Sequence, residues 1–216
     1  MIYLFYRWRK FYVPVFVHDC DLPNGLNFED AVAIDTETMG LVCRRDRLCL
    51  VQLADSSGNV HLVKFSGNYQ APNLVSVLSD PNIIKIFHFA RFDIAVMRYY
   101  LGMWANPCYC TKIASKLVRT YTDHHGLKEL CYELLGVKLN KMQQSSDWGR
   151  ESLTSEQLNY AASDVIYLHA LKSKLDAMLQ RENKRELAAA CFKFLQTRAQ
   201  LDLLGWENVD IFSHSL

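Results

Sequence analysis

The stretch "AVAIDTETMG", residues 31–40, decides how the rest of the chain is read. An apolar run, Ala31 to Ile34, leads directly into Asp35, Thr36 and Glu37. Such a run reads as a buried strand, and side chains on a strand alternate between faces, so Asp35 and Glu37 point the same way. Two like charges side by side at the end of a buried strand are costly unless a cation lies between them. The pattern therefore asks for a cation and for its remaining ligands.

The chain has 216 residues, half of them hydrophobic and 22% charged, the composition of an ordinary folded domain. Its formal net charge of +1 gives no broad basic field for gripping long nucleic acid, though it leaves room for a small anionic substrate. No low-complexity linker or internal repeat divides it. The seven cysteines are scattered; the closest pair, Cys108 and Cys110, is CxC and lacks a matching pair, so reduced thiols are expected rather than a zinc site. The opening "MIYLFYRWRKFYV" is aromatic and basic, with apolar runs too short to span a bilayer. We read residues 1–20 as an extension and lead-in to the first strand, residues 21–216 as one domain, and the protein as cytoplasmic with no membrane partner.

"RLCLVQLAD" (47–55) and "NVHLVKF" (59–65), split by Ser56, Ser57 and Gly58, predict a hairpin. Leu74, Val77 and Leu78 have helical spacing that Pro81 stops, and "IIKIFHF" (83–89) predicts a further buried strand followed by a helix to Gly102. From Lys112 onward the pattern is mostly helical, with Thr154 as an N-cap. Strands first and helices later predict an α/β or α+β layered domain.

Three further residues complete the opening pattern. Asp93, in "HFARFD", falls at the start of the helix after the 83–89 strand. Tyr160 and Asp164, four apart in "YAASD", share one helix face. Taken singly, Asp93 reads as a helix-dipole acid, Asp164 as a salt-bridge partner and Tyr160 as core. Taken together, four carboxylates and a phenol at element ends suit hard cations, Mg²⁺ or Mn²⁺. Two such ions form the arrangement used for phosphoryl transfer, with Tyr160 orienting or deprotonating the attacking water, and the implied reaction is phosphodiester hydrolysis.

"DTE", "HFARFD" and "YAASD", in that order, resemble the three motifs of the DEDDy 3′–5′ exonucleases, which include ribonuclease D and polymerase proofreading domains. The resemblance implies a ribonuclease H-like α/β fold, a mixed central sheet flanked by helices. From about Leu22 onward, "DRLCLVQL", "KIFHFARFD", "CTKIASKLVRTYTDHHGLKEL", "QQSSDW" and "LDLLGWENVDIF" resemble the nanoRNase C group of dinucleotidases within that superfamily. That group implies a homo-octamer cleaving linear diribonucleotides, the last step of RNA decay and of pGpG turnover, to nucleoside 5′-monophosphates. It further implies that Asp35 bridges two metals, that Glu37 and Asp164 hold the nucleophile-side ion, that Asp93 supports the other, and that Tyr160 positions the water.

Leu41, which continues the motif as "DTETMGL", is implied as a wedge between substrate bases; without the resemblance it reads equally as turn packing. Gln143, Gln144, Ser145 and Ser146 in "QQSSDW" offer donors for a 5′ phosphate, or form an ordinary polar loop. His88 is read as a substrate contact or a structural histidine, and "RRDR" (44–47) as solvated hairpin charge or, alternatively, an attractor of phosphate. A ribonuclease D-like enzyme trimming longer RNA, or a DNA exonuclease of the same fold, is the alternative. The end of the chain about fifty residues past Asp164 and its near-neutral charge count against that alternative. An inactive scaffold is disfavoured because every motif acid and the tyrosine are present.

Overall fold

The strand bearing Asp35 and Glu37 is β3 (Ala31–Thr38), inside a seven-stranded mixed sheet. The computed structural model describes residues 3–8, 11–139 and 146–214. Before β3 come β1 (Tyr3–Trp8) and β2 (Phe11–Asp19); after it come β4 (Leu48–Ala54) and β5 (Val60–Lys64). β6 (Ile84–Phe87) and β7 (Cys108–Cys110) complete the order β1-β2-β5-β4-β3-β6-β7. The hairpin expected over 47–65 is β4–β5, antiparallel from Leu50–Lys64 to Ala54–Val60. All of β4 is buried, as its apolar composition demands of a strand covered on both faces.

Helices cover both faces. Ile34, Val51, Leu53 and Val63 pack against α1 (Pro72–Ser79), α2 (Arg91–Leu101) and part of α7 (Arg185–Leu203). On the opposite face Ala33, Leu50, Ala54 and Leu62 meet α3 (Thr111–Val118), α4 (Leu127–Leu135), α5 (Ser155–Val165) and α6 (Leu168–Arg181). Alternation along β3 thus puts Ala33, Asp35 and Glu37 on the α5 side and Ile34 and Thr36 on the α2 side. The mixed sheet with flanking helices is the fold expected from the motifs. Among the described residues no helix is long and apolar enough to cross a membrane.

The sheet begins earlier than the reading from residue 31 had it: β1 and β2 fall within the stretch taken as an extension. β2 runs parallel to β5 only from Val15 to Asp19, so Pro14 lies beyond that ladder and costs it no hydrogen bond. β7, only three residues long, is too short to carry a period.

Candidate active site

Three elements bring the acidic residues together. β3 is paired with β6 only through Ala31–Ala33, so its end, from Asp35 on, projects past β6 toward the start of α2. There the Thr36 hydroxyl donates to Asp93 Oδ1 at 2.7 Å, fixing the first turn of α2 against β3. Asp93 is buried, 3% exposed, at a helix start where the dipole favours a negative charge. From the other side comes α5, set by the N-cap foreseen at Thr154. Its hydroxyl accepts from Gln157 N–H at 3.2 Å, and the Gln157 side chain accepts from Thr154 N–H at 2.9 Å. Gln157 also donates to Ser146 Oγ at 2.7 Å and to the Asp147 carbonyl at 2.9 Å, tying the preceding loop to the helix.

One carboxylate oxygen from each of Asp35, Glu37 and Asp164 lies within 4.8 Å of the other two. Asp93 stands outside that trio, held by Thr36, but its charge acts on both Asp35 and Glu37. Burial, then the repulsion of Asp93, Asp164 and Glu37, raises the Asp35 carboxyl well above the usual range. Burial and the charges of Asp164 and Asp93 push Glu37 up to about 9. Burial lifts Asp93 to about 7 against the opposing Thr36 hydrogen bond. Tyr160 is raised by burial and then by Asp164, Glu37 and Asp35. Among the described residues no ion pair involves Asp35, Glu37 or Asp93. Carboxylates packed without a cationic side chain, offering only oxygen donors, fit hard divalent cations.

The acids line a cleft with two adjoining lobes. One, of about 500 Å³, is bounded by Asp35, Glu37, Asp93, Leu41, His88 and Tyr160. The other, of about 300 Å³, shares Asp35, His88 and Tyr160 and adds Asp164, Lys112 and the start of α4. Leu41 is 85% exposed at the cleft rim, so it is not turn packing. Its loop is held by the Asp46 carboxylate, which accepts from Val42 N–H at 2.9 Å. That carboxylate passes so close to Gly40 that a Cβ there would stand 2.3 Å from Asp46 Oδ2. The charges of "RRDR" are largely engaged: Arg45 pairs with Asp46, and Arg47 donates to the Gly149 carbonyl at 2.8 Å.

His88 Nδ1 lies 2.9 Å from Thr111 Oγ1, which gives its own proton to the Phe87 carbonyl at 3.0 Å. His88 therefore donates from Nδ1, and its ring stands at the cleft with a fixed tilt. Ser146 lines the cleft, whereas Gln143, Gln144 and Ser145 lie outside the described residues.

Two neighbours escaped the sequence reading. Gln52, fully buried on β4, is the cross-strand partner of Asp35, and neither amide atom has a hydrogen-bond partner among the described residues. A polar residue inside the apolar run "LCLVQLA" was the available signal. Phe89, between β6 and α2, is 47% exposed in both lobes with φ +69°, which no pattern of residue types announces.

Residues 20–180 match the 3′–5′ exonuclease family. The chain belongs to the 3′–5′ exonuclease family. Within it, the chain is 32% identical over 165 residues to ribonuclease D of Gluconacetobacter diazotrophicus, covering 76% of this chain and 42% of that protein. It thus spans less than half the length of the ribonucleases D it matches. Brucella melitensis NrnC bound to pGG superposes with a TM-score of 0.90 at 55% identity, covering 93% of this chain and 98% of that one. NrnC with bound Mg²⁺ gives 0.89 at 54% identity, covering 93% and 99%. For this exonuclease-family chain, the motif order in the sequence and the fold around it agree.

Proposed function

We propose that the protein is a metal-dependent 3′–5′ exoribonuclease acting on short RNA, above all linear diribonucleotides, and releasing nucleoside 5′-monophosphates. The observation that carries this reading is the oxygen-only cluster of Asp35, Glu37 and Asp164, with Asp93 beside it, at the floor of a cleft rimmed by an exposed leucine. The likeness to NrnC, solved with pGG, supports the choice of a dinucleotide.

Asp35, Glu37 and Asp164 would hold one divalent cation, and Asp35 with Asp93 a second, Mg²⁺ or Mn²⁺. Bound there, such ions supply charge neutralisation at the scissile phosphate and acidify the attacking water. Tyr160, which lines both lobes of the cleft, orients that water through its hydroxyl. Leu41 meets the bases at the rim, while His88 and Ser146 contribute polar contacts to the substrate backbone. Residues 21–216, with β1 and β2 completing their sheet, act as one exonuclease domain.

The cytoplasmic location and the homo-octamer belong to the same proposal. Exposed Tyr121, Tyr132, Leu187 and Phe212 are apolar surface that an assembly would bury. Trimming of longer RNA is the second reading, supported by the likeness to ribonuclease D. Asp35→Ala tests the chemistry: the variant should keep its circular dichroism spectrum and lose at least about a hundredfold of its phosphodiesterase rate. Near wild-type turnover would remove Asp35 from the site.

A further inference from the structure

Phe89 occupies a position that folding alone does not explain. Its φ of +69° puts a bulky aromatic residue in the left-handed region, which side chains with a Cβ avoid. Burial does not compensate, because the side chain remains 47% exposed. The backbone has a local reason for the turn: the Phe89 carbonyl accepts from Phe92 N–H at 3.3 Å as α2 begins. Glycine would satisfy that geometry without strain. An exposed aromatic ring kept where glycine fits better suggests use of the ring itself.

Its surroundings say what the use is. The ring borders both lobes of the cleft, sharing the larger with Leu41 and the smaller with Asp35, Tyr160 and Asp164. It also borders a third cavity, of about 160 Å³, whose wall includes Lys112, Lys116 and Arg198. The Lys112 ammonium lies 4.5 Å from the ring centroid, a cation–π contact that fixes the ring's tilt. Among the described residues Lys112 takes part in no ion pair, so no carboxylate draws it away.

We infer that Phe89 is a nucleobase platform: its ring stacks on a base of the bound dinucleotide in the lobe it shares with Leu41, with Lys112 holding the ring. The inference rests on the dinucleotide reading of the cleft and adds a specificity-determining residue to it. Stacking on an aromatic ring is tolerant of base identity, so the platform favours neither purine nor pyrimidine strongly.

The test compares wild type, Phe89→Gly and Phe89→Tyr, measuring steady-state kinetics on a 5′-phosphorylated diribonucleotide with Mg²⁺ and thermal unfolding with EDTA. Phe89→Gly relieves the backbone and removes the ring, so Tm rises by about 2–4 °C. Its KM rises about 5- to 150-fold, the range corresponding to loss of one base stack, with kcat nearly unchanged. Phe89→Tyr keeps the wild-type KM. An unchanged KM in Phe89→Gly overturns the inference whatever happens to Tm. A wild type that leaves the diribonucleotide intact overturns the dinucleotide reading and this inference with it, whereas active wild type with an unmoved KM overturns this inference alone.

Discussion

Replacing Glu37 by Gln should make the metal-free protein less sensitive to rising pH. The Glu37 carboxyl sits at about 9 in the folded protein, against 4.5 unperturbed, because burial and the charges of Asp164 and Asp93 disfavour its ionised form. Between those values the unfolded chain has lost the proton and the folded chain keeps it. Folded stability is therefore full below about 4.5 and is lost progressively as pH rises toward about 9. Each pH unit costs about 1.4 kcal/mol per proton, so from pH 6 to 8 this one group removes about 3 kcal/mol. For a chain of this length that is roughly 6–12 °C in Tm. Gln cannot titrate, and it relieves Asp35, whose carboxyl Glu37 helps to raise. The slope of stability against pH should thus become shallower by about one proton in the variant. The assay is urea unfolding of both proteins in EDTA at half-unit steps from pH 6 to 8, repeated with saturating Mg²⁺. Mg²⁺ should stabilise wild type most at pH 8 and stabilise the variant far less. Equal slopes in EDTA, or a wild type flat across the range, would refute the repulsion argument.

Other outcomes follow from single residues. Gln52→Met removes a fully buried amide with no partner among the described residues, so in EDTA it should stabilise the protein by about 1–2 kcal/mol in urea unfolding. Thr154→Ala breaks the capping box of α5 and should cost about 1 kcal/mol, read as a Tm lower by about 2–4 °C. His61 is lowered to about 4 by burial and by His18, its hydrogen-bond partner at 3.0 Å. The unfolded chain then takes up the proton first, so the stability this group contributes is present above pH 6.5 and lost as pH falls toward about 4. His61→Phe should reduce the stability lost between pH 7 and 5 by about 1–2 kcal/mol after allowance for solvent screening, measured by urea unfolding.

Local chemistry made much of this architecture legible. The apolar run before Asp35 located the central strand, and the period of two in DTE put both acids on one face. Thr154 followed by Gln157 announced the start of α5 and thereby the placement of Tyr160 and Asp164. Features set by tertiary contact were not readable. Asp93 is held by Thr36, on the opposite face of the same strand, a contact that no spacing in the sequence announces. Pro14 lies in β2 opposite Phe5 of β1, one residue before the ladder to β5 begins at Val15, a placement set by strand pairing. The positive φ of Phe89, at the junction of β6 and α2, is a backbone feature that its residue type does not announce. Gln52 could be read as a polar residue in a strand, but that neither amide atom finds a partner among the described residues is set by tertiary packing.

The central claim is a metal-dependent cleft that closes around two nucleotides, and its most direct test is a time course on 5′-labelled RNAs of two to seven nucleotides, with Mg²⁺ and with EDTA. The account predicts that the dinucleotide disappears at least about tenfold faster than any longer chain, and that EDTA stops cleavage at every length. Longer RNAs shortening as fast as the dinucleotide, or cleavage persisting in EDTA, would contradict it.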